Sequence, residues 1–142
     1  MTSWALAATL LLPTATGAPA PTDPIEVTVT GVRSAAGMVH VDVCPEADFL
    51  NSCPYSIEAP ARAGSVTVLL RNVPPGRYAV QAFHDANANR KVDLGIFSIP
   101  REGIGFSNDA MAHLARPKFP VAAFVHGLVP QRLTVKLRYF LG

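Results

Sequence analysis

The residues best suited to chemistry lie in one run, His84-Asp85-Ala86-Asn87-Ala88-Asn89-Arg90-Lys91-Val92-Asp93. Asp85, Asn87, Asn89 and Asp93 occupy the first, third, fifth and ninth places of a loop, and the Lys91 carbonyl falls at the seventh. Alternate oxygens on a tight turn can converge on one hard cation, and Ca²⁺ takes about 6–8 oxygen ligands at about 2.3–2.6 Å. The order matches the first nine places of an EF-hand calcium loop. Two places depart from that pattern. Arg90 stands at the sixth, where glycine serves the sharp turn, and a left-handed non-glycine residue costs about 1–2 kcal/mol. Ile96 stands at the twelfth, so the bidentate glutamate is missing, and Glu102 from the following loop is the acid that would replace it. The same residues suit an Asx-rich turn whose side chains cap their own backbone without metal. The spacing alone leaves both readings open.

Three other features bear on chemistry. His84, Glu102 and Ser107 would serve a hydrolase if they met in a cleft as acid/base groups. Against that, neighbouring His84 and Asp85 on a strand point to opposite faces, and Ser107 sits in Gly105-Phe106-Ser107-Asn108, not in a G-x-S-x-G elbow. His40, His113 and His126 are scattered and read as surface or satisfied core residues. Cys44 and Cys53 are the two cysteines, and a lone pair in an exported protein reads as a disulfide. Their spacing fits no common zinc pattern.

The elements that must position these residues are mostly strands. Period-two alternation marks residues 25–30, 38–43, 65–71, 77–83, 121–125 and 133–139, with a further strand near 96–99. Gly31 to Gly37 reads as the turn of a hairpin between the first two. Asn72-Val73-Pro74-Pro75-Gly76 reads as the next turn, and 45–60 as an irregular, disulfide-pinned loop with a helical turn near 47–50. Ser107 or Asn108 would cap a short helix over 109–114. Thirteen prolines and ten glycines argue for short elements and many turns, hence an all-β antiparallel sandwich of about seven strands. Its anomaly is the long segment 84–120 after the central hairpin, and such loops usually carry function.

The first twenty residues differ from the rest. Residues 4–12 (WALAATLLL) form an uncharged apolar run, and Ala18-Pro19-Ala20 fits a small-x-small cleavage site. No Lys or Arg precedes the run, which departs from the usual signal-peptide pattern. The expectation is a signal peptide over 1–20 and one domain over 21–142, exported to the periplasm or secreted. No apolar run reaches the roughly 20 residues that a membrane-spanning helix needs. Twelve basic against ten acidic residues give a net charge of +2, too weak a bias to imply nucleic acid or an anionic membrane as partner.

Several of these segments recur together in a known pattern. Pro75-Gly76-Arg77-Tyr78-Ala79-Val80, His84 to Asp93, Ile99-Pro100-Arg101-Glu102-Gly103-Ile104-Gly105-Phe106-Ser107-Asn108 and the closing strand from Leu133 to Tyr139 resemble the bacterial domain of unknown function family 2141. The family usually carries glycine where this chain has Arg90 and Ser98. The resemblance implies an exported β-sandwich of the transthyretin- or prealbumin-like kind, and no activity. The expectation is therefore a non-enzymatic envelope module, its loop held by Ca²⁺ or by internal hydrogen bonds, presenting a surface to a protein or a glycan. A periplasmic enzyme using His84, Glu102 and Ser107 is the alternative.

Overall fold

The computed structural model describes residue 5 and residues 7–13, 23–95, 99–111 and 115–140. Eight strands stand among them: β1 (Ile25–Val32), β2 (Met38–Cys44), β3 (Tyr55–Pro60), β4 (Gly64–Leu70), β5 (Gly76–Asp85), β6 (Ile104–Phe106), β7 (Phe124–His126) and β8 (Gln131–Lys136). A four-residue helix, α1 (Phe119–Ala122), precedes β7. One sheet has the order β4-β1-β8. The other has β3-β2-β5-β6, with β7 also paired to β5. All pairings are antiparallel except β1 with β8, which run parallel.

Alternation decides which side of each strand is buried. Val27, Val29, Val66, Val68 and Val135 of the first sheet face Val39, Val41 and Val80 of the second, and all of these are buried with Leu137 in one core. Each buried β-branched side chain removes apolar surface from water and is worth about 1.5–3 kcal/mol. The period of two also keeps His40, Asp42, Gln81 and Phe83 off this core, on the outer face of the second sheet.

Pairing departs from the expected hairpins. β1 is flanked by β4 and β8, while β2 is flanked by β3 and β5, so residues 33–37 carry the chain from one sheet to the other. The Asn72–Gly76 turn does the same between β4 and β5. Alternation fixes a strand's inner face and says nothing of its partner, so a hairpin and a corner between sheets look alike in sequence. Gly37 makes the first corner possible. Its φ is +69°, and a Cβ there would lie 2.0 Å from the Asp85 carbonyl oxygen.

Three further segments differ from expectation. Residues 55–60 form an edge strand: Tyr55, Ile57 and Ala59 alternate with Ser56, Glu58 and Pro60, and the prolines around them masked the period. Edge position is where a strand tolerates proline. The expected strand over 121–125 begins only at Phe124, because Pro120 sits in the first turn of α1 and pre-sets a helical φ. β6, short and glycine-centred, carried no periodic signal. The expected strand near 96–99 and helix to 114 fall largely outside the described residues. A 3-10 turn stands at Glu46–Asp48 and another at Ser107–Asp109, neither with a side-chain cap at its N-terminus.

Candidate functional site

Asp85 ends β5 fully buried, and its carboxylate bends the chain that follows. Oδ1 accepts the Asn89 backbone N–H at 3.1 Å, and Oδ2 accepts the Arg90 N–H at 2.7 Å. The turn places Ala88 and Arg90 at positive φ, +53° and +62°. Those strained residues are held because Asp85 takes up the N–H groups they present. The asparagines then cap locally: Asn87 Oδ1 accepts the Asn89 N–H, and Asn89 Oδ1 accepts the Lys91 N–H at 2.9 Å. This part of the arrangement is Asx-turn chemistry.

Asp93 is where the third, fifth and ninth places meet. Asn87 Nδ2 donates to its Oδ2 at 2.7 Å, and Asn89 Nδ2 donates to its Oδ1 at 2.8 Å. These two bonds, that from Asn89 first, hold its carboxyl below the usual carboxylate range. Glu102, in the bend before β6, accepts the Asp93 N–H at 3.3 Å. Burial above all pushes Glu102 up to about 7, and the negative charges of Asp93 and Asp85 push the same way. The donors are all hard oxygens, which suits Ca²⁺. Among the described residues no three His, Cys, Asp or Glu side chains group so as to hold a metal by themselves. A cation here would therefore need the Asn87 and Asn89 amides to turn their oxygens toward it. Ile96 and Ser98 lie outside the described residues.

The loop is wired to the outer face of the second sheet. His40 Nε2 donates to Asp85 Oδ2 at 3.1 Å, its Nδ1 lies 3.3 Å from Glu58, and its ring stacks on Phe83 at 4.6 Å. Arg90 reaches Glu58 at 3.6 Å. Pairing explains the convergence: His40 stands opposite Phe83 on β5 and Glu58 on β3, one row from Asp85. Sequence reading set His40 aside as scattered and missed Glu58, because neither has a meaningful neighbour until three strands pair. Beside this network run two open grooves of about 470 and 520 Å³. Asp42, Ser52, Phe83 and Arg90 line both. Ser56 and Gln81 fix the Asp42 carboxylate with bonds of 2.7 and 3.0 Å.

The Cys44–Cys53 disulfide is formed and pins the far wall of these grooves. That wall closes onto the sheet through Gln81, which accepts the Leu50 N–H and donates to the Asn51 carbonyl, both at 3.0 Å.

His84, Glu102 and Ser107 are not brought together. His84 Nε2 bonds the Ala36 carbonyl at 2.7 Å, beside the corner into β2. Ser107 is buried and fully used: it accepts the Val80 N–H at 2.9 Å and donates to the Ala122 carbonyl at 2.6 Å. β7 pairs with β5 over Gly76–Tyr78 and β6 over Gln81–Phe83, so Ser107 serves a backbone group in the gap between them. Asn108 Nδ2 donates to the Val121 and Ala123 carbonyls, riveting the same segment. Gly105 lets β6 pass close to β8, since a Cβ there would lie 2.4 Å from the Lys136 carbonyl oxygen. The Gly105-Phe106-Ser107-Asn108 run is thus a structural clasp.

These features define a small two-sheet β-sandwich with an Asp/Asn loop at one end and a polar groove beside it. A family profile matches residues 27–132, and the chain belongs to that family, described as an uncharacterized protein conserved in bacteria (DUF2141). The match reaches further toward the N-terminus than the motifs after Val73 alone. No curated protein and no solved structure matches the chain.

Proposed function

We propose that this protein is an exported, non-enzymatic β-sandwich of the transthyretin-like kind, whose loop binds Ca²⁺ and thereby sets the wall of a binding groove. Asp85, Asn87, Asn89, the Lys91 carbonyl and Asp93 are the ligands, with Glu102 completing the set. The observation that carries the reading is the meeting of Asn87 and Asn89 on the Asp93 carboxylate, around a turn that Asp85 anchors. Arg90, the sixth place of that loop, lines both grooves, so ordering the loop positions the groove. The groove's polar and aromatic lining suits a glycan or a polar segment of an envelope protein. Export is supported by the disulfide and by Leu10, Leu11 and Leu12, which stand exposed, apart from the core.

A thermal melt in calcium and in chelator tests the metal. Binding at a hundredfold excess over Kd stabilises by about 2.7 kcal/mol, a rise of roughly 10 °C for a domain of this size. Asp93→Ala should abolish that rise. A melting temperature indifferent to calcium, after confirmed removal of bound metal, would leave the loop as a hydrogen-bonded turn.

A further inference from the structure

The outer face of the second sheet is the floor of the groove, and strand pairing orders its chemistry. One row reads Ser56, Asp42, Gln81 and Phe106 across β3, β2, β5 and β6, and the next reads Glu58, His40, Phe83 and Ile104. Strands lie about 4.8 Å apart, so four of them give a floor about 14 Å across, enough for a short oligosaccharide. The floor is polar and charged on β3 and β2 and apolar on β6. Asn51 and Ser52 stand in one wall, and Arg90 and Val92 stand in the loop beside it.

The charges decide what the groove can hold. His40, Asp42, Glu58 and Arg90 line it. Glu58 lies 3.3 Å from His40 and 3.6 Å from Arg90, and His40 also meets buried Asp85. Asp42 differs. Ser56 and Gln81, both neutral donors, hold its two oxygens, and among the described residues no Lys, Arg or His forms an ion pair with it. Glu46, Asp48, Lys91 and Asp93 belong to the flanking segments but do not line the groove, and acids outnumber bases among them. The fixed Asp42 carboxylate is therefore short of a cation, and a ligand ammonium would make a charge-assisted bond there. Phe83, its diagonal neighbour, attracts a cation to its ring or packs against the C–H face of a sugar. Arg90 argues against a lysine side chain, which brings no acceptor for a guanidinium. Sugar hydroxyls both accept from Arg90 and donate to carboxylates.

We propose that the groove takes a glycan carrying a free amino sugar, with the ammonium on Asp42, the ring against Phe83 and hydroxyls on Arg90 and Ser52. This rests on the reading of the groove as the protein's binding surface and names its ligand; it does not rest on calcium. Val92, Ile104 and Phe106 extend the apolar contact toward β6. Acetylating the amine removes its charge, and with it the ion pair at Asp42.

The test is isothermal titration of the full chain with the linear glucosamine trimer of chitosan, with its N-acetylated form and with cellotriose, which carries hydroxyl in place of the amine. Mildly acidic buffer keeps the amines charged. Calcium is present throughout, and the sugar-free melt reads the metal separately, so a melt indifferent to calcium leaves this result standing. The glucosamine trimer should bind at least about tenfold more tightly than the other two sugars. Asp42→Asn should erase that preference, with a melting temperature near the parent's because the side chain is only half-buried and keeps a polar head. Phe83→Leu should weaken the glucosamine trimer about threefold while keeping the preference. The proposal is overturned if the trimer does not bind, or if Asp42→Asn keeps the preference. Three sugars that bind the parent alike would overturn it too, yet leave a glycan groove, so the two readings fail separately. An amide-capped lysine peptide that binds more tightly than the trimer would assign Asp42 to a polypeptide and overturn it as well.

Discussion

Asp85 and Asp93 are both loop carboxylates at calcium-ligand places, yet their surroundings assign them different work. Asp85 is buried and holds two backbone N–H groups and His40. Asp85→Ala would leave those donors without an acceptor and should cost on the order of 3 kcal/mol or more in a urea melt, in calcium and in chelator alike. Asp93 holds only the amides of Asn87 and Asn89, which are exposed and can turn to water, so its loss should remove the calcium response at little cost in chelator and it is the cleaner variant. Glu102 gives a pH signature of its own. Its folded value, about 7, lies above its ordinary 4.5, so between these pH values the folded state holds a proton that the unfolded state has lost. In calcium-free buffer, stability should therefore fall as pH rises through that window, by an amount on the order of 3 kcal/mol. Glu102→Gln should flatten the slope, and an unchanged slope in denaturant melts across the window would show that another group is responsible.

Among the elements, β5 depends on side-chain help. Its outer neighbour changes from β7 to β6 partway along, and a break in the ladder is bridged by the Ser107 hydroxyl at Val80. Ser107→Ala leaves a buried N–H and the Ala122 carbonyl without that partner and should cost about 1–3 kcal/mol. Equilibrium unfolding measures it. A cost near zero would mean that water or the backbone takes over the bond. The same contacts explain why a Phe-Ser-Asn segment that looks functional has no open neighbour: its polar atoms are spent joining β5, β6 and α1.

For the molecule as a whole, the disulfide links the groove wall to β2 and thus to the core. Removing it with Cys44→Ser and Cys53→Ser together should cost roughly 2.5–3 kcal/mol by loop entropy, read from denaturant midpoints. Protein recovered from the cell envelope should begin at Pro21 and show no free thiol by labelling. Reactive thiols and an intact Met1 would argue against both the bond and export.

The sequence by itself determined the faces. Val27, Val39, Val66, Val80 and Val135 are buried as their alternation requires, because burying one side of a pleated strand leaves no other choice. The cysteine pair was legible too, since it spans few residues, while the Asp/Asn spacing left Asx turns and a metal site both open. Partners across strands were decided only by tertiary structure. The two expected hairpins became corners between sheets because β1 had β4 and β8 on its edges, an outcome of long-range packing. His40 and Glu58 joined Asp85 for the same reason: His40 and Asp85 are forty-five positions apart in the chain and meet only once β2 pairs with β5.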